Sequence, residues 1–277
     1  GSATSDSEAM AGPMQIVSMD PDNAATPGFV ADVLAEVTAL TPGDYIHLGA
    51  DEAFGMEHDK YVRFVNAARD IAGASGKKTL GWQESARAGV DADSIIQYRI
   101  HGLTSLDNLS ELGVDLPPDI LATIQTTLDL ADGDVPATLG AGGRVLMSPL
   151  MHVYLDQPMV EPGPQDQEER RQRVGLRLYP GNTVRSSLDW DPLTLRDDVT
   201  SEEQVAGVEA AIWCETVMSF ADLQFALQPR LAGLAERGWV QRAPVDWDDY
   251  SARLAWRAPA WRAASWEFFR AGSVDWR

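Results

Sequence analysis

The chain has 277 residues, 44% of them hydrophobic, enough to bury a sizeable core in one large domain or two small ones. Forty-two acidic residues against 22 basic ones give a formal net charge of −20. A field of that sign repels phosphate backbones and anionic lipid surfaces, so neither nucleic acid nor membrane is an expected partner. The single cysteine, Cys214, excludes an internal disulfide.

Residues 1–13 are small and polar and read as a flexible lead-in to a domain over 14–277. Phe29, Val33, Leu34 and Val37 recur at helical spacing and predict a helix over 28–39. The turn Thr41-Pro42-Gly43-Asp44 leads into a short apolar strand at 45–49. A second helix is expected over 58–74, with Tyr61, Phe64, Val65, Ala68 and Ile71 on one face and Gly76 at its C-cap. Strands follow at 79–82 and 94–100, then a long excursion over 103–143 containing a helix around 118–130. A fourth strand at 144–148 opens into a loop carrying Tyr154 and Asp156, and residues 157–204 read as a long, Pro-rich, charged loop. A fifth strand at 208–213, an amphipathic helix at 220–237 and a Trp-rich helix at 248–271 complete the chain.

Short buried strands alternating with helices predict a parallel α/β architecture. In a (β/α)8 barrel, active residues sit where strands end and loops begin. Asp51, Glu52, Trp82, Glu84, Tyr98, Arg99, Tyr154, Asp156, Trp213 and Glu215 all fall at or just after predicted strand ends.

Asp51 and Glu52 are adjacent carboxylates at such an end. Where the pleat breaks, both can turn to one cleft, and close like charges hold one protonated and leave the other ionised. One acid and one carboxylate is what glycosidic cleavage requires. The bland alternative makes Asp51 a helix cap and Glu52 a solvated charge. Trp82 and Trp213 have a core alternative, Asp156 a turn-capping one, and Glu215 a surface ion pair. Cys214 alternates away from Trp213 and reads as a small buried hydrophobe. His58, His101 and His152 lack zinc-ligand spacing, and no metal or cofactor is expected.

His47-x-Gly49-x-Asp51-Glu52 resembles the signature of glycoside hydrolase family 20. Further motifs follow in the family's order: Gly81-Trp82-Gln83-Glu84, Gln97-Tyr98, Tyr154-Leu155-Asp156, Trp213-x-Glu215 and Pro229-Arg230-Leu231. The resemblance implies a (β/α)8 barrel of the TIM type, of which this chain holds the later strands and helices. It implies retaining hydrolysis of terminal, non-reducing β-linked N-acetylhexosamine, with an amino-sugar glycan or chitooligosaccharide as substrate. Glu52 becomes the proton donor, Asp51 the orienter of the substrate's acetamido group, and Tyr154 a donor to the acetamido oxygen. Trp82 and Trp213 become pocket walls, and Asp156 and Glu215 acceptors of sugar hydroxyls. A bacterial, secreted or cell-surface protein is implied, with the cytoplasm left open; the Gly1-Ser2 start reads as processed, tagged or excised.

Three departures stand out. Gly49-Ala50 replaces a Gly-Gly, a mild change unless position 50 needs positive φ. Arg99 stands where the family places a Trp and opens the pocket to stacking or anion binding. Tyr179 replaces a Trp expected beneath the sugar and keeps a stacking surface. The resemblance also starts midway through the barrel, with five of eight strands visible. A non-catalytic carbohydrate-binding protein, or a barrel part needing a complementary chain or a homo-oligomer, therefore stand as alternatives.

Overall fold

The computed structural model describes residues 19–53, 56–101, 117–177, 179–240 and 245–276. The expected lead-in and residues 103–116 of the central excursion lie outside them. The chain divides into two compact units, Gly1–Gly89 with Thr104–Asp132, and Val90–Leu103 with Gly133–Arg277.

The first unit holds helix α1 (Thr26–Leu40), strand β1 (Tyr45–His47), helix α2 (His58–Ala74), strand β2 (Lys78–Trp82) and a 3-10 turn at Gln83–Ala88. The two strands run parallel, with Ile46 opposite Thr79 and His47 opposite Leu80. Leu34, Ile46 and Ala72 form one core layer, and Tyr61, Val65 and Ala88 another. Within α1 the expected apolar face is corrected. Leu34 is buried with Val30 against it, whereas Phe29, Val33 and Val37 are exposed. Apolar periodicity marks a helix without fixing which of its stripes meets the sheet. For α2 the expected bounds hold, and Gly76 takes φ +76°, the left-handed conformation of a helix C′ glycine.

Helix α3 (Pro118–Gly140) carries the division between units and outruns the expected 118–130 helix. The second unit then holds strands β3 (Ile95–Tyr98), β4 (Arg144–Met147) and β5 (Val205–Val208), all parallel and paired in chain order. The fifth strand thus precedes the expected 208–213, and a register shift after Val145 accompanies its pairing. The Pro-rich stretch 157–204 is no open loop. It contains α5 (Glu168–Arg173), after the short α4 (Leu150–Val153), and its Met159, Val174, Val184 and Leu188 enter the main core beside Phe225 and Trp261.

Two expected helices are broken. The 220–237 segment divides into α6 (Phe220–Leu227) and α7 (Arg230–Trp239), because Pro229 has no N–H and disfavours helix in the residue before it. The terminal segment divides into α8 (Trp247–Ala255) and α9 (Ala258–Ala263), with Pro259 in the first turn of the latter. Residues after Ala264 form no further helix or strand and pack Phe268 and Phe269 into the core. Parallel strands alternating with helices are the pattern of a (β/α)8 barrel, with five strands among the described residues. No described helix is long and apolar enough to cross a membrane.

Candidate active site

In the first unit the chain leaves β1 through a left-handed turn. Gly49, Ala50 and Glu52 have φ of +72°, +71° and +50°. For a residue with a Cβ this conformation costs about 1–2 kcal/mol, so Ala50 is not the mild change its size suggests. The turn is held from three sides. Gly49 N–H donates to His47 Nδ1 at 2.9 Å, Trp82 N–H to Gly49 O at 2.8 Å, and the Tyr61 hydroxyl to Ala50 O at 2.7 Å. Gly81 admits the close approach: a Cβ there would lie 3.0 Å from Gly49 O and 3.1 Å from the Ser85 side chain. A left-handed Ala50 held by these bonds, beside a carboxylate pair whose Glu52 is itself left-handed, is the kind of strain that gathers at functional sites.

Asp51 is half-buried and Glu52 exposed. Asp51 does not cap α2, whose N-cap is Glu57. Trp82 is buried at the end of β2, its ring edge-on to His47 with centroids 5.5 Å apart. Glu84 is buried in the 3-10 turn that follows. Arg69 braces that turn by donating to Ser85 O at 2.9 Å and Gly89 O at 2.8 Å.

In the second unit, six of the expected residues gather beyond the strand ends. Tyr154 is buried and meets Tyr179 and Trp213 edge-on, with centroids 5.8 Å away in both cases. Trp213 and Glu215 lie well past the end of β5, contrary to the expectation, in a loop pinned to the 153–155 segment. There Ala211 N–H donates to Val153 O at 3.1 Å and Leu155 N–H to Ala211 O at 2.8 Å. Strand alternation does not apply in that loop, and Cys214 is exposed, not buried.

Asp156 is almost fully buried, and neither carboxylate oxygen makes a hydrogen bond of good geometry, although the backbone N–H groups of Asp156 and Trp213 lean toward it. Burial, reinforced by the charge of Glu215, raises its pKa from 3.8 to about 6. The Tyr179 phenol is also raised, first by burial and then by Asp156, while the charge of Arg99 acts the other way. Arg99 therefore stands within electrostatic reach of the same group.

Arg230 is the residue whose role the sequence did not disclose. Fully buried on α7, it donates to Gln157 O at 3.0 Å, to Ala226 O at 3.1 Å and to Leu155 O. It thereby fixes the backbone on both sides of Asp156 and partly offsets that residue's charge. The available signal was the one charged residue in the mostly apolar stretch Leu227 to Leu234. Trp190 is buried in the interior, stacked on His152 at 6.0 Å. Among the described residues no three His, Cys, Asp or Glu side chains are placed to hold a metal.

Residues 2–242 match the profile of glycosyl hydrolase family 20, catalytic domain. The chain is 33% identical over 255 residues to a β-N-acetylhexosaminidase of Cellulomonas fimi, covering 92% of this chain and 44% of that protein. The GH20 β-N-acetylhexosaminidase structure from Streptomyces coelicolor A3(2) superposes with a TM-score of 0.76 at 32% identity, over 95% of this chain and 46% of that one. The Streptomyces plicatus enzyme in complex with Thio-NAglucal gives the same TM-score at 31% identity. The chain spans less than half the length of these relatives. It belongs to glycosyl hydrolase family 20 and has the fold of part of that family's catalytic barrel.

Proposed function

We propose that this chain supplies the proton-transfer and acetamido-binding residues of a retaining β-N-acetylhexosaminidase acting on terminal, non-reducing β-linked GlcNAc or GalNAc. The observation that carries the reading is the strained turn that presents Asp51 and Glu52 beyond a parallel strand. The substrate's own acetamido oxygen attacks the anomeric carbon, and the glycosidic bond breaks as Glu52 gives its proton to the leaving oxygen. Glu52, now a carboxylate, takes a proton from the water that opens the resulting oxazolinium ion and is reset as the acid.

Asp51 accepts a hydrogen bond from the acetamido N–H, which gains positive charge as the oxygen attacks. Tyr154 donates to the acetamido oxygen, Trp82 and Trp213 enclose its methyl group and the sugar's apolar face, and Tyr179 provides a stacking surface. Asp156 and Glu215 accept from sugar hydroxyls. For Asp156, a hydroxyl donor restores the hydrogen bonding that its buried oxygens lack.

The test of the acid role is Glu52→Gln assayed on two substrates. With a poor leaving group that needs protonation, turnover is expected to collapse; with an activated leaving group, bond cleavage is expected to persist. Normal turnover of the poor substrate would remove Glu52 from the mechanism. A second reading, sugar binding without turnover, is favoured by Arg99 beside the Tyr179 group. It requires glycan binding with no hydrolysis of either substrate.

A further inference from the structure

A polar cleft of about 590 Å³ lies in the second unit between α5 and the stretch after α9. None of its lining residues belongs to the Tyr154 group. Of its four guanidinium groups three face carboxylates, and the fourth, Arg262, lies over the Phe268 ring at 5.8 Å. Arg170 meets Glu267 at 2.9 Å and Asp222 at 3.4 Å, Arg173 meets Asp222 at 2.6 Å, and Arg270 meets Asp166. A phosphate or sulfate would have to displace one of these carboxylates. What the cleft offers instead is donors and acceptors side by side.

Against this wall stands Trp266, 44% exposed, whereas its neighbour Trp261 is 8% exposed and part of the core. The Trp266 backbone N–H donates to Trp261 O at 2.8 Å after Ser265, which holds φ +55°, so the turn closing α9 fixes the backbone from which the indole emerges. The opposite wall is fixed as well. Buried Gln167 donates to Phe268 O at 2.8 Å and accepts from Arg270 N–H at 2.9 Å, tying the stretch after α9 to the turn before α5.

We propose that this cleft is an accessory glycan-binding site for a neutral sugar unit of an oligosaccharide. The C–H face of a pyranose stacks on the Trp266 indole. Adjacent hydroxyls bridge an arginine N–H and a carboxylate oxygen, the alternation that the Arg170–Glu267 and Arg270–Asp166 pairs display. The volume suits one or two sugar rings, and the rigid walls limit the ordering that binding requires. Such a site would hold a polymeric glycan on the protein independently of cleavage.

The test labels the full chain with 5-fluorotryptophan, assigns the Trp266 fluorine signal through Trp266→Phe, and titrates triacetylchitotriose. The Trp266 signal is expected to shift and saturate in the unsubstituted chain and in Trp213→Ala, where sugar stacking at the Tyr154 group is removed. In that background, Trp266→Ala, which removes the reporter, is expected to weaken trisaccharide binding about tenfold by calorimetry. On its own, Trp266→Ala is expected to leave turnover of a small β-GlcNAc glycoside unchanged. A Trp266 signal that stays still while other tryptophans respond would overturn the proposal. So would inorganic sulfate shifting it at lower concentration than the trisaccharide, which would mark an anion site. Because the readout is a resonance and not a rate, it stands even if the hydrolase reading fails.

Discussion

Replacing Arg230 by methionine probes how the Asp156 loop is held. The side chain satisfies the carbonyls of Leu155, Gln157 and Ala226 from a buried position. A methionine of similar volume keeps the packing and removes all three donors. At about 1 kcal/mol net for each hydrogen bond, the loss is about 3 kcal/mol. Relief of the buried charge's desolvation works against part of this, and the stranding of buried carbonyls works with it. For a chain of this size that corresponds to a fall in Tm of roughly 6–12 °C. Arg230→Lys keeps the charge but loses the fork, and about 2 kcal/mol of destabilisation is expected. Urea denaturation at constant m-value is the assay. Arg230→Met also removes the positive charge that lowers the Asp156 pKa, so the Asp156 carboxyl, followed by carbon NMR, is expected to titrate above about 6. A stability loss below about 1 kcal/mol, with an unmoved Asp156 titration, would refute the assignment of Arg230 as the brace of this loop.

Other expectations follow from the same geometry. Because the Asp156 pKa is raised from 3.8 to about 6, the folded state holds a proton that the unfolded state has released. Its contribution to stability is therefore fully present below pH 4 and falls by about 3 kcal/mol as pH rises through 6. Asp156→Asn should be more stable than the parent at pH 7.5, an advantage that denaturation at pH 4 should find gone. Ala50→Gly relieves about 1–2 kcal/mol of left-handed strain at φ +71° against about 0.5–1 kcal/mol of glycine entropy and is expected to stabilise by up to about 1 kcal/mol in urea denaturation, whereas Ala50→Val adds β-branching at the same φ and is expected to destabilise. Gly81→Ala brings a methyl within 3.0 Å of Gly49 O and is expected to cost about 1–3 kcal/mol and to reduce turnover by displacing the turn that carries Asp51 and Glu52.

The strands were legible wherever burial forced an apolar run. β1 to β4 fall inside or within a residue of their expected positions, and α2 keeps both its expected ends. The fifth strand lies earlier than expected, at Val205–Val208, because VEAAIW is as apolar as the segment that pairs and composition alone does not separate them. The broken helices show local prolines, Pro229 and Pro259, overriding a continuous apolar pattern. The Tyr154, Tyr179 and Trp213 gathering could be anticipated from ordered motifs, although Trp213 reaches it from a loop and not from a strand end. Two features needed coordinates. The left-handed backbone at Ala50 is invisible in a residue that carries no conformational signature, and the three-carbonyl grip of Arg230 depends on a loop some seventy residues earlier in the chain.

The central claim is that the nucleophile belongs to the substrate and that Asp51, Glu52 and Tyr154 serve it. The most direct measurement is kcat/KM on a series of aryl β-glucosaminides whose N-acyl group runs from acetyl through fluoroacetyl to trifluoroacetyl. Fluorine withdraws electrons from the carbonyl oxygen, so the rate is expected to fall steeply along the series if that oxygen attacks the anomeric carbon. A rate that stays level would show that the acyl oxygen takes no part, and would contradict the roles assigned to Asp51 and Tyr154.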